Sequence, residues 1–311
     1  MAKATRQAYG EKLAELVVEN KKIVVLDADL ANATKTEIAK KAAPEQFFDM
    51  GIAEADMIGH AAGLAASGLI PFVSSFAMFA TGRAWEQVRN SVAYPHLNVK
   101  ICGTHAGITV GEDGVSHQAI EDIALMRVIP EMEVYVPADE KETRAVLDHV
   151  VKTKSPTYVR LGRANVDDVY KTEDIDVTKA NILRKGSKIA VFATGVCVPS
   201  AVQAADKLME EGVEITVVDI CAIKPCDEEG IVKILEDHEV IFTAEEHNIV
   251  AGLGSLIAEI STSRCPRKIT RIGIEDRFAE SGNYVELMKK YELDGEGLYR
   301  KIKSVILSAG V

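Results

Sequence analysis

Residues 57–82 contain no Asp, Glu, Lys or Arg. A run of this length has two physical solutions. It can span hydrocarbon, which takes about 20 apolar residues, or it can form elements covered on all sides inside an α/β core. Gly68, Pro71 and the pair Ser74 and Ser75 interrupt it, so the membrane reading is rejected. The run reads instead as a buried helix, MIGHAAGLAASG, a turn, and a buried strand, PFVSSF. A strand with two apolar faces requires helices on both sides of its sheet, so the fold class follows from this one segment.

The flanking sequence supplies those elements. A helix over 5–20 leads to the strand IVVLDADL. Strands at 71–76, 99–103, 133–136 and 156–160 alternate with helices at 83–91, 117–127 and 139–152, the order of a doubly wound α/β domain over 1–165. Residues 166–187 lose the apolar period and read as a linker, with ANILRKG available as an edge strand. A second doubly wound unit over 188–311 starts at KIAVFATG and ends on the helix GEGLYRKIKSVILSAG. A chain of 311 residues is long enough for two such cores.

Charge and cysteine usage exclude several classes. The net charge of −11 lacks the basic face that nucleic acid demands, while leaving room for a local Arg/His pocket for an anionic sugar. The five cysteines are scattered with no CxxC pair, and so are expected as reduced core thiols in a cytoplasmic protein. The N-terminal stretch has no apolar signal core, so secretion is not expected. AGLGSLI lacks the third glycine of a dinucleotide fingerprint, and neither a P-loop nor a Gly-x-Ser-x-Gly elbow is present.

Polar chemistry concentrates in two places. In GIAEADMIG, Glu54 opens the most apolar helix of the chain. It is either a first-turn residue favoured by the helix N-terminus or a carboxylate held there for a specific partner, since burial without one is costly. The second is THAGITVGEDGVSHQAIEDIAL, a glycine-rich connection after a buried strand, where ligands sit in α/β sheets. It carries His105, Glu112, Asp113 and His117; Asp113 and Ser116 also suit a helix N-cap. The histidine spacing and the absence of a cysteine within this motif do not fit a zinc site.

Together with ATRQAYGEKL, LDADLANAT and MGIAEADMIGHAAGLAASGLIPFVSSFAMFATGRAWEQVRNS, this motif resembles the pyrimidine-binding domain of transketolase, in the family's order and over nearly all of 1–165. VDICAIKP and TAEEHNIVAGLGS are similar to the family's C-terminal domain. The resemblance implies thiamine diphosphate as cofactor and transfer of a two-carbon ketol unit from a ketose phosphate to an aldose phosphate, as in the pentose phosphate pathway. It places Glu54 where the family's glutamate bonds N1′ of the aminopyrimidine. Phe76 and Phe79 match the aromatics around that ring, and Asp29 an acid near the cofactor cleft. His117 matches a histidine on the donor's upper hydroxyls, Asp113 the reader of the C2 hydroxyl, and Arg6, His105 and Arg163 the phosphate-end ligands, with Arg160 the alternative to Arg163.

The sequence departs from the family pattern at Ala33, often a phosphate-binding serine, with Thr34 and Thr36 beside it, and at Gly82, often tyrosine. It also lacks the Gly-Asp-Gly motif that binds Mg²⁺ and the diphosphate. The resemblance therefore implies a partner, an N-terminal transketolase subunit that supplies the Mg²⁺ ligands, in a heterotetramer. The same domain plan also suits a β-type subunit of a 2-oxoacid dehydrogenase, the C-terminal half of a deoxyxylulose-phosphate synthase, or a silent scaffold. The GEDGVSHQAIED motif and Arg6 favour sugar-phosphate chemistry.

Overall fold

A computed structural model describes residues 2–309. The uncharged run forms the helix Glu54–Ala66, the strand Ile70–Phe76 and the start of a second helical stretch. The first helix is rich in Ala and has Glu54 and Asp56 in its first turn, where they complement the helix dipole. It buries Met57, Ile58, Ala61 and Ala62, spaced as one helical face. Among the described residues no helix is long and apolar enough to cross a membrane.

The first sheet has seven strands. From one edge they are Ala222–Lys224, Glu133–Tyr135, Thr157–Arg160, Lys100–Thr104, Ile70–Phe76, Ile23–Asp27 and Phe47–Asp49. All pairs are parallel except that of the first strand, which the second half of the chain contributes antiparallel to Glu133–Tyr135. The chain runs outward from Ile23–Asp27 to Phe47–Asp49, then crosses back to Ile70–Phe76 on the other side. The direction of winding thus reverses between Ile23–Asp27 and Ile70–Phe76, which opens a crevice at their carboxyl ends.

The second sheet runs Ile269–Ile274, Val240–Asn248, Ile189–Ala193, Ile215–Ile220 and Ala180–Arg184. The last of these, ANILR, lies within the expected linker and pairs antiparallel as an edge strand. One apolar core runs from Leu26, Val73 and Ile101 in the first sheet to Phe192, Val218 and Ile241 in the second.

Two expected helices differ from the structure. The stretch expected at 83–91 begins at Met78, directly after the strand, and contains π-helical turns over Met78–Arg83 and Val88–Ala93. The helix expected at 117–127 begins only at Asp122. Neither Asp113 nor Ser116 caps it, because residues 115–121 are held against the second domain. There Gln118 Nε2 donates to the Glu280 carbonyl at 2.8 Å, and Asn248 N donates to the Ile120 carbonyl at 2.8 Å.

Candidate active site

Glu54 is buried, with 1% of its surface exposed. Its carboxylate is held by side chains: Ser75 Oγ donates to Oε1 at 3.3 Å, and Arg83 NH1 to Oε2 at 2.7 Å. Ser75 lies on the strand Ile70–Phe76 and Arg83 on the helical stretch that follows, so three consecutive elements converge on one carboxylate. The Arg83 guanidinium also lies 4.6 Å over the Phe79 ring. The two residues are four apart on one helical face, which makes the contact available.

The aromatic residues form one wall beside this carboxylate. Phe76 and Phe79 are 6.0 Å apart and nearly parallel. Phe76 stacks on His105 at 3.9 Å, and His117 meets the Phe79 ring edge-on at 5.2 Å. His117 is half-buried, and its Nδ1 is 2.9 Å from Ser116 Oγ. The loop histidines and the strand-end aromatics thus meet, although they are far apart in sequence.

His105 has a fixed tautomer. Arg6 NH1 can only donate, so at 2.9 Å it makes His105 Nε2 the acceptor. Nδ1 then carries the proton and donates to Thr104 Oγ1 at 2.9 Å. Burial, then the charges of Arg6 and Arg163, push the imidazole down to about 3. His105 is therefore neutral at physiological pH and orients Arg6.

Arg6 is short of partners. NH1 also donates to the Ala33 carbonyl at 2.7 Å, but Nε is buried with no hydrogen-bond partner. Burial and the nearby Arg163 lower its proton affinity. Arg6 has no carboxylate partner among the described residues, and its orphaned donor beside a second guanidinium marks a place for an anion. Arg6 lines adjoining clefts of about 510, 530 and 260 Å³, the first with Lys35 and Arg163, the second with Asp29 and Asp49, the third with Asn283 and Tyr284. Asp29 is exposed with a φ of 60°, at the carboxyl end of Ile23–Asp27.

The structure separates the two candidate arginines. Arg160 is buried, donates to Asp122 Oδ2 at 2.8 Å and to the Glu246 carbonyl at 2.9 Å, and belongs to the packing between domains. Despite burial, Asp122 and Glu246 raise its proton affinity. Arg163 faces the cleft, with NH1 donating to the Val110 carbonyl at 2.6 Å and to Asp113 Oδ2 at 3.3 Å. Thr34 and Thr36 do not stand in for the serine missing at Ala33. Both are buried and donate to Asp27 Oδ2, at 2.7 and 2.8 Å.

Sequence reasoning missed Arg83, Lys35 and the segment around Tyr284. Only Arg83 had left a signal, as the charged residue that ends the uncharged run. The buried acid beside the Phe76 and Phe79 rings offers the hydrogen-bonding carboxylate and the flat aromatic face that suit the aminopyrimidine end of thiamine diphosphate. Among the described residues no group of three or more His, Cys, Asp or Glu is arranged to hold a metal ion.

Residues 1–168 match the pyrimidine binding domain of transketolase, and 178–298 the transketolase C-terminal domain. A protein of Methanocaldococcus jannaschii described as a transketolase C-terminal section is 48% identical, covering 96% of this chain and 95% of its own. Human transketolase is 33% identical over 98% of this chain, but that match covers only 49% of the human protein. A solved structure described as a split gene transketolase, an inactive beta4 tetramer, superposes with a TM-score of 0.88 at 44% identity, covering 98% of each chain. The two matched domains, in this order and over nearly the whole length, show that the chain belongs to the transketolase family and corresponds to its C-terminal half.

Proposed function

We propose that this chain is the C-terminal subunit of a two-chain transketolase, which transfers a two-carbon ketol unit from a ketose phosphate to an aldose phosphate once an N-terminal subunit is bound. The observation that carries the reading is the convergence of Glu54, Phe76, Phe79, His105 and His117 with Arg6 and Arg163 at the carboxyl ends of the central strands. Thiamine diphosphate, when bound, supplies the electron sink for carbon–carbon cleavage. What this chain contributes is positioning.

Glu54 holds a proton at N1′ of the aminopyrimidine, which its buried, side-chain-bonded carboxylate suits. Phe79 stacks on that ring, Phe76 closes the wall, and both exclude water; Asp29 lies at the mouth of the cleft. His117 bonds the donor's upper hydroxyls and Asp113 reads the C2 hydroxyl. Arg6 and Arg163 hold the terminal phosphate, with His105 fixing Arg6.

The partner is expected to bring the Mg²⁺ ligands and the diphosphate grip, since the sequence has no Gly-Asp-Gly. Support for a split enzyme comes from the relative of equal length described as a C-terminal section, and from the inactive beta4 tetramer of a similar protein. We expect an α₂β₂ assembly in the cytoplasm. Other similar proteins are subunits named for 6-deoxy-6-sulfo-D-fructose and apulose-4-phosphate, so the acceptor screen should include several anionic sugars.

The test is reconstitution. The chain is mixed with the candidate N-terminal subunit, Mg²⁺ and thiamine diphosphate, and ketol transfer between sugar phosphates is followed. Activity is expected only from the mixture. Full activity of this chain alone would overturn the split reading, and pyruvate decarboxylation without ketol transfer would favour an oxoacid dehydrogenase.

A further inference from the structure

Arg83 makes two contacts at once. It donates to the buried carboxylate of Glu54 at 2.7 Å, and it lies over the face of Phe79 at 4.6 Å. These are the two contacts that the aminopyrimidine needs from this chain: a hydrogen bond to Glu54 and a flat aromatic face. A guanidinium is planar, carries N–H donors at its edge and stacks on aromatic rings, so it reproduces the ring's demands in miniature. On the basis of the proposed cofactor reading, we propose that Arg83 is a stand-in for the cofactor's pyrimidine, occupying its seat on Glu54 and Phe79 until thiamine diphosphate displaces it.

The physical logic lies in the imbalance between the two partners. Glu54 is 1% exposed, whereas the Arg83 side chain is 49% exposed. A carboxylate that deep cannot be left without a donor. Arg83 satisfies it in the free subunit, yet its own outer half remains in water and can leave at modest cost. The helical stretch that carries it is wound with π turns over Met78–Arg83, a geometry that recurs at functional sites. Displacement returns the guanidinium to solvent at the mouth of the crevice, while Glu54 exchanges one N–H partner for another. No other described residue donates to Glu54 Oε2, so its release is coupled to cofactor entry.

The sign of the effect separates this role from a structural one. If Arg83 merely shaped the pocket, its removal would weaken cofactor binding; a competitor's removal strengthens it. Thiamine diphosphate with Mg²⁺ is titrated calorimetrically into the complex reconstituted from wild-type, Arg83→Ala and Arg83→Lys subunits. Removing a competing ion pair of this exposure corresponds to about fivefold tighter binding for Arg83→Ala, with Arg83→Lys intermediate because an ammonium keeps the charge but not the stacking plane. Unchanged or weaker binding by the variants overturns the proposal. Should Arg83→Ala fail to fold, Arg83→Lys alone decides by the same sign. A wild-type complex that binds no cofactor defeats the functional reading itself, an outcome distinct from either. A structure of the cofactor-loaded complex with Arg83 still on Glu54 Oε2 would likewise overturn the displacement.

Discussion

Glu246 of the second domain accepts the main-chain N–H of Thr109 in the first at 2.5 Å, so one buried carboxylate anchors the loop that carries His105, Asp113 and His117. The same carboxylate lies 3.7 Å from Arg160. Gly107, with a φ of 76°, is required opposite it, because a Cβ there would collide with the Glu246 carboxylate. Burial pushes Glu246 up to about 7 against the pull of Arg160. The C-terminal domain thereby helps to position the loop that carries the candidate residues.

Replacing Glu246 by Ala strands the Thr109 N–H and leaves Arg160 undercompensated. A loss of about 2–4 kcal/mol is expected, measured by urea denaturation, together with a raised KM for the sugar. Glu246→Gln keeps the acceptor oxygen and should lose much less. Equal losses for the two variants would mean that the loop is anchored elsewhere.

Glu54→Gln should lower turnover of the reconstituted complex by about 10² or more, while sedimentation shows the same assembly. Because Ser75 and Arg83 hold the wild-type carboxylate, the amide also tests whether charge or only shape is needed. An unchanged turnover removes Glu54 from the mechanism.

Arg163 has its charge beside Asp113 and Val110 at the cleft. Arg163→Ala is expected to raise KM for phosphorylated sugars by about 10–100-fold, the worth of a charge-assisted bond. KM for the unphosphorylated analogues should stay nearly constant. Steady-state kinetics on matched pairs measures this, and equal effects on both would place the phosphate away from Arg163.

A buried acid pair at the domain junction gives a pH dependence. Glu142 Oε1 and Asp219 Oδ1 have no hydrogen-bond partner from another group, and Tyr170 donates to Asp219 Oδ2 at 2.7 Å. Burial raises both carboxyls, Asp219 to about 7. The native state therefore keeps protons that the unfolded chain, with ordinary carboxyls near 4, has released. The pair's contribution is complete below that range and is lost as pH rises through 7. Glu142→Gln should flatten this loss by on the order of 2 kcal/mol between pH 5 and pH 8, read from urea midpoints at the two pH values. Parallel curves for variant and wild type would show that no proton is shared.

Much of the fold was legible because it rests on local pattern. Period and punctuation placed the buried strand Ile70–Phe76 and the parallel sheet around it, and Phe76, Phe79, His105 and His117 come together beyond the carboxyl ends of its central strands. The glycine-rich loop was harder to read. Its sequence suggested a capped helix from 117, but contacts with Glu280 and Asn248, more than a hundred residues away, hold it in a turn followed by irregular backbone.

The sequence by itself determined the family, the two-domain plan and the identity of the catalytic candidates, since these depend on residue type and order along the chain. Only the tertiary structure decided which arginine is packing and which faces the cleft, that His105 is neutral and orients Arg6, and that Glu54 is held by Arg83. Those outcomes depend on burial and on the distances between charges brought together from different strands. Such quantities arise only when the chain folds.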